Sequence, residues 1–140
     1  MQANQKVLYT GKTRTSGSGR DGGSGRSDDG RLEVGLSTAG GKGNGTNPEQ
    51  LLGVGWAACY ISALHFAGKE FGVVLPQGAV VDAEVDLVHG DDGYGLQARL
   101  DVHIPGVDLE TARKLVERAH QTCPYSKALS KTTQLVTRVL

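Results

Sequence analysis

Residues 51–67 run Leu51-Leu52-Gly53-Val54-Gly55-Trp56-Ala57-Ala58-Cys59-Tyr60-Ile61-Ser62-Ala63-Leu64-His65-Phe66-Ala67, and no other stretch constrains the fold as much. The run is apolar or small around its whole circumference rather than along one stripe, so as a helix it must be buried on every side. Its start is well marked: Asn47 serves as N-cap, Pro48 takes the first helical position and Gln50 closes a capping box. The pattern predicts a helix over residues 46–71. A chain of 140 residues fits one domain, 1–140, and has too few other elements to wrap this helix completely. A partner subunit is therefore expected to cover part of it.

The other segments supply those elements. Residues 6–9 begin a short strand, and residues 11–31 hold no apolar side chain apart from glycine, so they contribute no core element. Such a stretch is either disordered or a long functional loop between two strands. Leu32, Val34 and Leu36 fall on one side of a strand over 31–37. Strict alternation over 79–88 (Val81, Ala83, Val85, Leu87) and 94–104 (Tyr94, Leu96, Ala98, Leu100, Val102, Ile104) marks two strands. The turn chemistry of 89–93 pairs them as an antiparallel hairpin with one wet face. Residues 108–121 return to helical spacing, with Leu109, Ala112, Leu115, Val116 and Ala119 on one face, Cys123 on its last turn and Pro124 ending it. A short helical turn over 125–131 and a strand over 133–140 complete an α+β fold built on antiparallel pairings.

Charge removes several functional classes. Fifteen Lys and Arg balance fifteen Asp and Glu, so no global field draws a polyanion or an anionic membrane. No apolar stretch approaches the ~20 residues that cross a bilayer, and residues 1–12 lack the apolar block of a secretory signal. The expected location is the cytoplasm, with neither nucleic acid nor membrane as a partner. Two cysteines are too few for a stapled secreted scaffold; in a reducing compartment they either fill space or do redox or metal chemistry.

Metal chemistry has little support. The ligand pool is Cys59, Cys123, His65, His89, His103, His120 and carboxylates, with no CxxC or HxxxH pair. His120 and Cys123 share a helical face at three residues' spacing, which reads as packing plus a surface imidazole. His89 and His103 read as solvated, and His65 lies about 9 Å along the helix from Cys59 on the wrong side. Gly17-Ser18-Gly19-Arg20-Asp21-Gly22 matches GxGxxG, but the helix that a pyrophosphate site requires is missing. No metal and no cofactor are expected.

Cys59 in an apolar helix is inert unless a cation or hydrogen-bond donors lower its pKa. Arg20, in a glycine-rich loop that permits close approach, is the candidate cation, although composition alone favours a solvated loop charge.

Four segments taken together, Gly19-Arg20-Asp21-Gly22, Thr46-Asn47-Pro48-Glu49-Gln50-Leu51-Leu52, Ala57-Ala58-Cys59-Tyr60 and Cys123-Pro124-Tyr125-Ser126, resemble the organic hydroperoxide resistance proteins of the OsmC-like superfamily. The order and spacing match over nearly the whole chain. The resemblance implies antiparallel sheets around a long buried central helix, in an intertwined homodimer. It further implies a peroxidatic Cys59 held by Arg20 and Glu49 beside a resolving Cys123. The substrates it implies are alkyl and fatty-acid hydroperoxides, reduced at the expense of a dithiol on a lipoylated protein. Two other readings stay open: a redox sensor or ligand-binding module of the same fold whose cysteines oxidise without turnover, and a protein with inert buried thiols. Trp56, Tyr60, Ile61 and Phe66 either favour an apolar peroxide or belong to the core.

Spacing adds one condition. In a continuous helix Glu49 and Cys59 stand about 15 Å apart along the axis and cannot share a site. Either Glu49 serves Cys59 of the partner subunit, or the helix bends near Gly53 and Gly55.

Overall fold

The computed structural model describes residues 4–140. They divide into two compact units, one up to Pro48 and the other from Glu49 to Leu140.

The first unit holds an antiparallel sheet of β1 (Thr13–Ser16), β2 (Ser24–Ser27) and β3 (Glu33–Gly35) in that order. Residues 11–31, expected to be disordered or to form a loop, thus supply two strands. They do so without apolar side chains because backbone ladders and tight turns suffice: Asp29 Oδ1 accepts from Ser27 Oγ at 2.6 Å and from Arg31 N at 3.0 Å in the β2–β3 turn. The β1–β2 connection winds through a 3-10 turn, Gly19–Asp21. The strand expected at residues 6–9 is not formed. Val7, Leu8 and Tyr9 are exposed, and consecutive apolar residues without alternation give a sheet no single face to bury.

In the second unit, α1 (Pro48–Phe71) runs unbroken through Gly53 and Gly55. Burial does not extend all round it in this chain: Gly53, Trp56, Tyr60, Ala63, Leu64, Ala67 and Gly68 form one inward stripe, while Val54 and Phe66 stay exposed. By length and composition alone α1 is apolar enough to cross a bilayer, contrary to the expectation that no stretch reaches that length. Its stripe is nevertheless packed in the core with Leu100 and Val102, and Gly53 sits against the Ala83 and Val85 side chains.

The sheet beside it comprises β4 (Val80–Gly90), β5 (Gly93–His103) and β6 (Gln134–Val139). The β4–β5 hairpin is antiparallel, as its alternation requires. β6, however, pairs with β5 in parallel, because α2 (Leu109–Thr122) and α3 (Pro124–Leu129) return the chain to the end of the sheet at which β5 began. The two faces separate cleanly. Ala98, Leu100 and Val102 point into the core with α2 residues Ala112, Leu115, Val116 and Ala119. The other face carries Arg99, bonded to Glu84 and Asp86, and Arg138, bonded to Asp101.

Candidate active site

Two thiols from opposite ends of the second unit's sequence meet in space. Cys59 is on α1, one turn after Gly55, and Cys123 occupies the junction where α2 ends and α3 begins. Both are free cysteines, and the Cys123 thiol donates to Cys59 Sγ at 3.3 Å. Their exposures differ: Cys59 is half-buried, whereas Cys123 is fully enclosed. A covalent S–S bond is about 2.05 Å long, so the sulfurs need only a small approach to join.

The junction explains why Cys123 lies there. Pro124 cannot continue α2 but starts α3 well at its first position. Cys123 therefore adopts an extended backbone, its N–H closing α2 on Ala119 O while its sulfur accepts from Ser126 N at 3.5 Å. The same turn serves the other sulfur. Burial pushes the Cys59 thiol above its ordinary pKa, the backbone N–H of Tyr125 pulls it back down, and the adjacent Cys123 raises it again. Gly55 makes room for the Tyr125 side chain: a Cβ there would stand 3.0 Å from Tyr125 Oη and 3.3 Å from two of its ring carbons.

Beside the pair lies a cluster of bonded polar side chains. Trp56 Nε1 donates to Ser126 Oγ at 2.9 Å, and Ser126 Oγ is 2.9 Å from His120 Nδ1. His120 Nε2 is 2.8 Å from Thr137 Oγ1 on the core face of β6. The Tyr60 hydroxyl donates to Val116 O at 2.8 Å, and its ring lies 4.6 Å from the His120 ring, centroid to centroid. Burial lowers the His120 pKa, favouring the neutral imidazole, and raises that of Tyr60, keeping the phenol protonated. Among the described residues no three His, Cys, Asp or Glu side chains gather as a metal ion requires.

Residues 41–138 match the model of the OsmC-like protein family. The chain belongs to that family. A relative from Xanthomonas axonopodis pv. citri, named an organic hydroperoxide resistance protein, is 37% identical over 131 residues, covering 91% of this chain and 92% of its own. The solved structure of the organic hydroperoxide resistance protein OhrB of Bacillus subtilis superposes with a TM-score of 0.86 at 32% identity, over 96% of this chain and all of that one. The organic hydroperoxide resistance protein from Elizabethkingia anophelis gives a TM-score of 0.86 at 34% identity, with coverage of 96% and 98%. The α+β fold, with its mainly antiparallel sheets and central helix, is the OsmC-like fold.

Of the four residues singled out in the sequence, the structure brings Cys59 and Cys123 together. Glu49 lies in the first turn of α1; since the helix continues unbroken to Cys59, the two stand about 15 Å apart along it. Arg20 sits in the 3-10 turn of the first unit. Trp56 and Tyr60, considered as pocket residues, are fully buried core with satisfied polar ends. Sequence reasoning passed over His120 as a surface imidazole and gave Ser126 no role. The signal for His120 was its position one residue beyond Ala119, on the flank of the apolar face of α2. None existed for Ser126, whose partners lie 70 residues before it and six before it in the chain.

Proposed function

We propose that the chain is a thiol peroxidase that reduces organic hydroperoxides, and one observation carries the reading: a half-buried thiol 3.3 Å from a fully buried one. Close spacing alone suits any dithiol, but unequal exposure suits a division of labour. Cys59 meets the peroxide, and Cys123 meets only Cys59. The names of the relatives point to the same substrate class.

The Cys59 thiolate attacks the distal oxygen of the peroxide, the O–O bond breaks, and the alkoxide leaves as an alcohol after taking a proton. Cys59 becomes a sulfenic acid. Cys123 then displaces its hydroxyl as water, forming a disulfide that a dithiol reopens by exchange. The second sulfur protects the first from further oxidation.

Desolvation works against the thiolate, and the Tyr125 N–H offsets part of that cost. Further stabilisation is assigned, on the family resemblance, to Arg20 held by Glu49. Because Glu49 cannot reach Cys59 along its own helix, the reading requires a homodimer in which one protomer completes the other's site. The exposed Val54 and Phe66 of α1, with Val7, Leu8 and Tyr9, offer apolar surface for a second copy. A lipoylated protein is the proposed reductant, again from the resemblance.

Steady-state consumption tests the reading. With a dithiol such as dihydrolipoamide, the protein should turn over cumene hydroperoxide many times and much faster than hydrogen peroxide. A single stoichiometric oxidation without turnover would instead identify a redox sensor, and equal rates would remove the preference for organic peroxides.

A further inference from the structure

Three helices of the second unit converge on one hydroxyl, and a strand joins them through an imidazole. Trp56 of α1 and His120 of α2 both bond Ser126 Oγ of α3, and His120 in turn bonds Thr137 of β6. Trp56 Nε1–H can only donate, so Ser126 Oγ accepts from it and keeps its own hydrogen to give. Given to His120 Nδ1, that hydrogen puts the imidazole proton on Nε2, facing Thr137 Oγ1. Such a chain needs a neutral imidazole, the form that its burial favours.

Peroxide reduction as described above employs none of these groups. A serine with no exposed surface is costly to bury unless its hydroxyl is bonded, and an alanine facing a phenylalanine would fill the space without that demand. The distinguishing feature of Ser126 is its backbone, whose N–H is bonded to Cys123 Sγ at 3.5 Å, one residue beyond the Tyr125 N–H that serves Cys59.

We propose that Trp56, Ser126 and His120 form a positioning cluster for the resolving sulfur, anchoring the first turn of α3 so that Cys123 Sγ stays aimed at Cys59 Sγ while Cys59 is a sulfenic acid. The inference rests on the peroxidase reading. The step served is closure: Cys123 sulfur attacks the Cys59 sulfenyl sulfur, the S–S bond forms as the S–O bond breaks, and the departing hydroxide leaves as water with the Cys123 thiol proton. Cys59 sulfur is reduced by one electron equivalent and Cys123 sulfur is oxidised by one. A misplacement of about 1 Å in such a reaction can cost roughly a hundredfold in rate.

Rapid-quench mass spectrometry with one equivalent of cumene hydroperoxide separates Cys59 oxidation from disulfide closure. In Ser126→Ala, closure should slow about tenfold more than oxidation, with sulfenic acid trappable by dimedone and sulfinic acid at Cys59 under excess peroxide. Unchanged closure, or equal slowing of both steps, would overturn the proposal. Should Ser126→Ala fail to fold with the Trp56 N–H stranded, His120→Asn and His120→Leu carry the test. Asn retains a group near the Nδ1 position and should close faster than Leu; equal closure rates would overturn the proposal equally well. Failure of the underlying peroxidase reading would look different, as a wild-type Cys59 that the hydroperoxide does not oxidise at all.

Discussion

The sheet of β4, β5 and β6 buries Ala98, Leu100 and Val102 against helices, whereas among the described residues up to Pro48, which include the sheet of β1, β2 and β3, Gly23 alone is buried. The first is held by apolar packing, and burying each large side chain contributes about 1.5–3 kcal/mol. The second is held by ladder bonds, turn side chains and close backbone approaches. A Cβ on Gly23 would run into Ser16 O and stand 2.8 Å from both Gly19 N and Gly19 O. The two thiols thus stand where packing fixes positions, whereas Arg20 stands on a glycine-rich turn. The difference also gives the proposed homodimer a structural task, since a sheet without a core of its own gains most from being covered.

Single substitutions can break this contrast. Leu100→Ala should cost about 2–5 kcal/mol in urea unfolding, with loss of amide protection spread over the second unit. Gly23→Ala should cost about 1–3 kcal/mol through overpacking, with loss of protection confined to β1 and β2. Equal protection loss in both units from Gly23→Ala would mean that the first unit is not held locally.

A smaller effect is expected on the outer face of the second sheet. Asp86 accepts from Arg99 Nη1 and Nη2 at 2.8 and 2.9 Å and from Gln97 Nε2 at 2.6 Å, and the Arg99 guanidinium first, then Gln97, holds its carboxyl down to about 2. Because the folded pKa lies below the unfolded value of about 3.9, the stabilisation is present above that value and lost as pH falls towards 2. Arg99→Met should therefore move the acid-unfolding midpoint slightly upward and leave stability near neutral pH little changed, because exposed pairs contribute little. An unmoved midpoint would assign the outer face no share in acid stability.

Much of the second unit was legible because its elements obey simple periods. Alternation located β4 and β5, and Asp108 and Pro124 bracket α2 almost as the sequence indicates: Asp108 caps it by accepting from Thr111 N at 3.0 Å. The parallel β6 was not legible, since a strand's direction depends on how α2 and α3 return the chain rather than on its own residues. β1 and β2 were hidden for a different reason. Thr13, Arg14, Ser24 and Arg26 make a ladder with no apolar face, and hydrophobic patterning is silent where nothing apolar is buried. At the site, the motifs indicated Cys59 and Cys123 but not the donor that serves Cys59, because a backbone N–H leaves no mark in a sequence. Ser126 was invisible for a related reason: its role depends on Trp56, brought to it only by the fold.

In the proposed reaction Cys59 and Cys123 act in sequence as attacking and resolving sulfurs. Mass spectrometry of wild type, Cys59→Ser and Cys123→Ser after one equivalent of an organic hydroperoxide tests it directly. Wild type should give an intrachain Cys59–Cys123 disulfide, Cys123→Ser sulfenic or higher oxides at Cys59, and Cys59→Ser little reaction. Oxidation of Cys123 in Cys59→Ser, with Cys59 untouched in Cys123→Ser, would contradict it.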